Sequence, residues 1–248
     1  MTKNNINERS EKLYQNLVEI HDKILDINGD NWRQIRKDII GTYPSTITFN
    51  KRIMLRKLEN VLRAFSNYDN SIKYCQGMNF IVGFFLFHCE EYIAFWLFVS
   101  LIEEYDLRKV FMGNYYTLTV HVERLNKILR NEYPVYWENF AKIRVKIDSF
   151  ISECVYSLFS SLIPIELLMD FYKGFFSQGW LFFYKVCIST IVNLKGKLFE
   201  ADEIYIRLKN GNNKENAKEE DIKNSWKKIL QKAYTIITKT DVYEFIHI

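Results

Sequence analysis

Proline and glycine are scarce in this sequence, with three and nine in 248 residues. So few chain-breaking residues, together with the lack of any sustained alternation of apolar and polar positions, exclude a turn-rich all-β fold. The four cysteines, Cys75, Cys89, Cys154 and Cys187, include no CxxC pair. That spacing argues against a zinc ribbon or a thioredoxin-type pair, and reads as reduced core thiols of a cytosolic protein. The four histidines, His21, His88, His121 and His247, have no HExxH or other ligand spacing, and the neighbours His88 and Cys89 read as a satisfied buried pair. No GxxxxGK[ST] or GxGxxG loop is present, so no nucleotide site of either kind is expected in the chain itself, and no GxSxG elbow occurs. The excess of positive charge is only +4, with acids and bases interspersed, which is too weak a signal for a nucleic-acid footprint. The N-terminal "MTKNNINERSEK" lacks the apolar run of a signal peptide. The longest apolar runs, "FIVGFFLFHC" and "YIAFWLFVSLI", are each shorter than the ~18–20 residues of a membrane span and read as core helices.

Helical spacing is abundant. Leu55, Leu58, Leu62 and Phe65 step by three and four, as do Leu118, Val122, Leu125 and Leu129. "GWLFFYKVCISTIVNL" is apolar nearly all round, as a helix enclosed by others would be. Pro134 and Pro164 suit the first position of a helix, Asp148 or Ser149 suits a cap ahead of "FISECVYSLFSSL", and Phe95, Trp96, Leu125, Phe159 and Leu162 are expected in the core. These patterns predict an all-α domain of roughly ten or more helices over residues 13–245. A polar tail occupies residues 1–12, and an Asn/Lys/Glu-rich surface loop residues 209–221. The acidic pairs Glu90–Glu91 and Glu103–Glu104 read as solvated helix ends.

Two stretches carry the functional reading. "WRQIRKDIIGTYPST" has a helix-like run that stops at Gly41, with Pro44 just beyond, the pattern of a left-handed glycine ending a helix. "SIKYCQGMNFIVGFF" follows the turn-like "SNYDNS" and places Gln76, with two donors and an acceptor, at the mouth of an apolar helix, next to a Gly77 that would let another backbone approach.

In this order and spacing, "IRKDIIGTYP" and "YCQGMNFI" resemble the TBC domain, the helical GTPase-activating domain that acts on Rab GTPases. "EEYIAFWLFVSLIEEYDLRKVF" and "LFSSLIPIELLMDFYKGFFSQGWLFFYKVCISTI" extend the resemblance over roughly Leu13 to Ile191. The resemblance implies a two-finger mechanism, in which an arginine meets the γ-phosphate and a glutamine positions the attacking water. The glutamine corresponds to Gln76 and the arginine position to Gly41, with Asp38, Thr42, Pro44, Tyr74, Gly77 and Met78 as supporting or partner-binding residues. It further implies a GTP-loaded Rab-type partner, a role in vesicle trafficking, and a cytoplasmic protein peripheral to endomembranes through that partner, without membrane insertion. Magnesium and GTP would belong to the GTPase, leaving the chain no cofactor of its own.

The sequence departs from the family pattern in three places. No basic Gly-Ile-Pro stretch or Arg-x-x-Trp helix is found ahead of Leu13, Met169–Asp170 stands for a Trp-Asp pair, and Gly41 stands for the arginine. Lys37, one helical turn before Gly41, offers a point charge and not a bidentate guanidinium. Weak or absent catalysis on the partner is therefore expected of this regulator, and the alternative is a non-catalytic all-α scaffold that binds a Rab or a trafficking complex.

Overall fold

The computed structural model describes residues 3–23, 30–43, 52–112, 115–143, 147–193 and 219–239. Among these residues there are twelve α-helices, one short 3-10 turn and no strand, so the all-α reading holds. The helices group into two compact units, residues 1–114 and 115–248.

The first unit contains α1 (Lys3–Lys23), α2 (Asp30–Ile40), α3 (Arg52–Tyr68), α4 (Met78–His88), α5 (Glu91–Glu104) and α6 (Leu107–Phe111). Helix α3 is central: it packs against α1, α2, α4 and α5. Its predicted stripe is buried from Leu58 through Leu62 to Phe65, and Leu55 is half-buried. Phe65 meets Phe98 of α5 edge-on at 4.8 Å, and Tyr14 of α1 lies 5.2 Å from Phe95. Glu91 is no solvated helix end. It is half-buried and accepts hydrogen bonds from Tyr14 Oη (2.6 Å) and Asn60 Nδ2 (3.0 Å), which ties α1 and α3 to the start of α5. Burial, reinforced by that carboxylate, raises the Tyr14 phenol far above its ordinary pKa.

Trp96 differs from expectation in being half-buried. Its indole N–H needs an acceptor and finds one in the Ser10 carbonyl at 3.1 Å, at the rim between α1 and α5. Phe95, Leu125, Phe159 and Leu162 are buried as expected, and the deeply buried tryptophan is Trp226. His88 is exposed and not part of a buried pair, because it lies at the end of α4 with its ring on Phe84. Cys75 and Cys89 are half-buried, while Cys154 and Cys187 are fully in the core.

The second unit contains α7 (Tyr115–Glu132), α8 (Pro134–Ile143), α9 (Ile147–Ser157), the 3-10 turn Ile165–Leu167, α10 (Leu168–Gln178), α11 (Trp180–Asn193) and α12 (Glu219–Thr235). Pro134 opens α8 as predicted, whereas Pro164 precedes only the short turn. Asp148 and Ser149 lie within the first turn of α9, because that helix begins at Ile147. Residues 219–221, expected in the polar loop, form the acidic first turn of α12, where carboxylates favour the helix N-terminus. The rest of that loop lies outside the described residues.

Phe159 sits among Phe171 (5.5 Å), Phe183 (5.1 Å) and Trp226 (6.2 Å). Leu158 and Phe159 both have left-handed backbones (φ 45° and 59°), a conformation costing roughly 1–2 kcal/mol per residue and offset here by complete burial of both side chains.

His121 is buried beside Trp180 (4.2 Å between ring centroids), with Nδ1 2.7 Å from Tyr184 Oη. Burial, with the Arg124 charge nearby, depresses its pKa to about 3. The folded protein therefore keeps His121 neutral at pH values where the unfolded chain, with an ordinary pKa of about 6.5, binds a proton. That proton uptake favours the unfolded state, so stability should fall by up to about 1.4 kcal/mol per pH unit below pH ~6.5, until the folded pKa is reached. Urea unfolding at pH 7.5 and 5.5 should show a larger loss for the wild-type than for His121→Gln. Equal losses would mean that His121 is protonated in the folded state.

Candidate functional site

The site is built from the end of α2 and the segment that leads into α4, both in the first unit. Ile35 and Ile39 anchor α2 in the core. At its end the Asp38 carbonyl accepts from the Gly41 N–H (3.1 Å) and from Thr42 Oγ1 (3.0 Å), and the Ile39 carbonyl accepts from the Thr42 N–H (3.2 Å). The left-handed residue that turns the chain is Tyr43 (φ 49°), not Gly41. Tyr43 is held there by its hydroxyl, which donates to the Phe80 carbonyl (2.8 Å), and by its ring, edge-on to Phe80 at 5.5 Å. A Cβ added at Gly41 would meet only the Asp38 carbonyl oxygen, at an ordinary 3.7 Å. Neither backbone conformation nor space therefore requires glycine at this exposed position.

The second segment starts at Asp69, whose carboxylate accepts from the Ser71 N–H at 2.9 Å and pairs with Arg108 at 2.7 Å. Arg108 also bonds Ser71 Oγ (3.1 Å) and the Glu103 carboxylate, so α6 pins the chain just ahead of the motif. The Tyr74 N–H donates to Asn31 Oδ1 at 3.1 Å. A tight turn follows, closed by the Met78 N–H donating to the Cys75 carbonyl at 3.2 Å. Gly77, at the third position, has φ 111° and ψ −34°, close to the type II geometry that calls for glycine there. This conformation by itself calls for a glycine. Gln76, at the second position, is thrust outward and exposed, while Met78 is buried beneath it.

Side-chain hydrogen bonds join the two segments. The Asp38 carboxylate accepts from Tyr74 Oη (2.9 Å) and Gln34 Nε2 (2.8 Å). Burial, with that carboxylate alongside, raises the Tyr74 phenol far above its ordinary pKa, so it remains a donor. Asn79 is almost wholly buried. Its Nδ2 donates to Thr42 Oγ1 (2.8 Å) and lies 3.4 Å from the Asp38 carbonyl, and its Oδ1 accepts from the Gly77 N–H (3.0 Å). One amide thus grips both the end of α2 and the turn that carries Gln76.

The structure brings together Asp38, Gly41, Thr42, Tyr74, Gln76, Gly77 and Met78, while Pro44 lies outside the described residues. Asn79, Asn31 and Gln34 went unread in the sequence. The available signal was Asn79 itself, a lone amide in the apolar run "MNFIVGFF".

The model of the Rab-GTPase-TBC domain matches residues 2–199. The chain belongs to this family. The match begins ahead of Leu13, where sequence resemblance had started. Ecotropic viral integration site 5 protein homolog of Homo sapiens is 26% identical over 184 residues, covering 73% of this chain and 23% of that protein. Growth hormone-regulated TBC protein 1-A of Danio rerio is 27% identical over 206 residues, covering 79% of this chain and 55% of that protein. This TBC chain thus spans about a quarter to a half of the length of these relatives. Among solved structures, the Chlamydomonas flagellar RabGAP TBC domain superposes with a TM-score of 0.72 at 20% identity, covering 92% of this chain and 72% of that one, which shows a shared fold. Among the described residues of this TBC domain, no helix is long and apolar enough to cross a membrane, and no three His, Cys, Asp or Glu residues group as a metal site.

Asn79→Ala removes the acceptor of the buried Gly77 N–H and the donor to Thr42. Leaving such groups unsatisfied should cost about 1–3 kcal/mol of stability. Amide exchange at Gly77 should accelerate more than exchange in α11. Unchanged stability together with unchanged exchange would show that the amide does not hold the turn.

Proposed function

We propose that this TBC domain binds a Rab-type GTPase in its GTP state, in vesicle trafficking, and that it accelerates GTP hydrolysis weakly or not at all. The observation that carries the proposal is the turn at Cys75–Met78, which holds Gln76 exposed and is hydrogen-bonded through Asn79 to Thr42 at the end of α2, next to Gly41. Gln76 is the residue that positions the attacking water. Its amide can donate to one oxygen and accept from the water at the same time. Asp38, Tyr74 and Met78 hold the turn and the helix end, and Thr42 locks them through Asn79. Magnesium and nucleotide belong to the GTPase.

The missing cation decides how much catalysis remains. An arginine finger in phosphoryl transfer is worth roughly 10³–10⁵ in rate, or on the order of 4–7 kcal/mol of transition-state stabilisation. Gly41 supplies none of it. Lys37 is exposed one turn back, but side chains of a helix lean toward its N-terminus, away from Gly41. Gly41 is therefore the feature that favours binding without catalysis, the scaffold-like form of the same function.

Equilibrium binding to a panel of Rab proteins tests this reading. At least one member should bind in its GTP-analogue state at least tenfold more tightly than in its GDP state, and Gln76→Ala should reduce that preference. Equal affinity for the two states, or no binding to any member by the folded chain, would contradict it.

A further inference from the structure

Helices α2 and α3 lie antiparallel, because Arg36 pairs with Glu59 at 3.4 Å while Arg63 lies over the Trp32 ring at 5.0 Å. The end of α2 therefore lies beside the first turns of α3. That common end has an unusual surface. Ile40 and Ile53 are each 69% exposed, and around them Arg33, Arg36, Lys37, Arg52 and Arg56 are all exposed. The stretches 31–40 and 52–59 contain only two carboxylates, Asp38 and Glu59. Both are half-buried and hydrogen-bonded, Asp38 to Gln34 and Tyr74, Glu59 to Arg36 and Arg63. Exposed cations thus outnumber carboxylates on this ridge, which also exposes two isoleucines. Single exposed aliphatic residues are common, but two together within a ring of one charge sign mark a contact surface.

We propose that this ridge docks an acidic, partly apolar patch of the GTP-loaded GTPase and supplies affinity independently of any arginine finger. The proposal rests on the reading that the chain binds such a GTPase. Continuity with the Gly41–Gln76 site selects this occupant. Ile40 precedes Gly41 directly, Lys37 is about 6 Å back along the helix and Arg33 about 12 Å. An interface of standard size covers about 800 Å² on each partner, so a protein seated over Gly41 and Gln76 extends onto the ridge. The same partner would keep a bilayer off it. Clustered cations accelerate encounter with an acidic surface, and salt screens them with a Debye length of about 8 Å at physiological strength. The isoleucines lose their water on docking and slow departure.

Association and dissociation rates of the whole chain with GTP-analogue-loaded Rab proteins test the proposal. The variants are Arg33→Glu/Lys37→Glu and Ile40→Ser/Ile53→Ser. Lys227→Glu/Lys228→Glu on α12 is the control with the same change of charge. Reversal on α2 should slow association about tenfold or more at low salt and flatten its salt dependence. The serine pair should speed dissociation several-fold, and the control should match the wild-type. Melting is measured in parallel, because Lys37→Glu removes a cation from the last turn of α2, and rates are compared per folded molecule. If the wild-type binds and the ridge variants bind with its rates, the ridge proposal fails and the binding function stands. If the ridge variants lose binding only to phosphatidylserine vesicles and keep the GTPase, the ridge is a lipid surface and the proposal fails. If the wild-type binds no loaded Rab, the binding function fails and the ridge proposal with it.

Discussion

Asn79 donates to Thr42 through its amide nitrogen and accepts from Gly77 through its oxygen, and both bonds are buried. Losing the amide oxygen leaves the buried Gly77 N–H without its acceptor, and losing the amide nitrogen removes the link from the turn to Thr42. The separation between the end of α2 and the Gln76 turn is therefore fixed by the geometry of a single amide. The part-buried Tyr74–Asp38 hydrogen bond repeats the constraint. Above these bonds Gln76 faces solvent, and below them Met78, Ile81 and Val82 are buried, so the turn rests on a packed helix. A residue proposed to orient a water molecule needs such a base, because a small displacement of a positioning group is costly in rate.

Backbone geometry does not account for Gly41. A glycine that ended a helix in the left-handed region would be hard to replace, but here that conformation belongs to Tyr43. Gly77 is the contrasting case, since its φ of 111° excludes most other residues. The sequence presents two glycines in two motifs, and only one of them is demanded by the fold.

Much of this arrangement was legible beforehand. The spacing of Leu58, Leu62 and Phe65 announced α3, and the apolar runs around Phe84 and Phe98 announced α4 and α5, because periodicity and length carry that information. The two motifs were readable through resemblance, which also implies an arginine position at Gly41. Their joining was not, because Asn79 and Asn31 act on partners 37 and 43 residues away, which no local pattern encodes, whereas Gln34–Asp38 is an i,i+4 helix pair that went unread. Trp96 and Glu91 were misread for a related reason. Each sits in a helix whose burial depends on α1, where Ser10 and Tyr14 supply the matching groups. The surface ridge was hidden because the antiparallel pairing of α2 and α3 brings Ile40 and Ile53 to one end.

On the proposed reading, the site lacks a cation at residue 41. The most direct test is single-turnover GTP hydrolysis by a cognate Rab in the presence of Gly41→Arg, compared with the wild-type and with Gly41→Arg/Gln76→Ala. A Cβ fits at Gly41, so the variant should fold, and it should raise hydrolysis at least tenfold over the wild-type, below the full ~10³–10⁵ of an optimised finger. The gain should vanish in the double variant. A folded Gly41→Arg that binds the GTPase and hydrolyses no faster than the wild-type would contradict the claim.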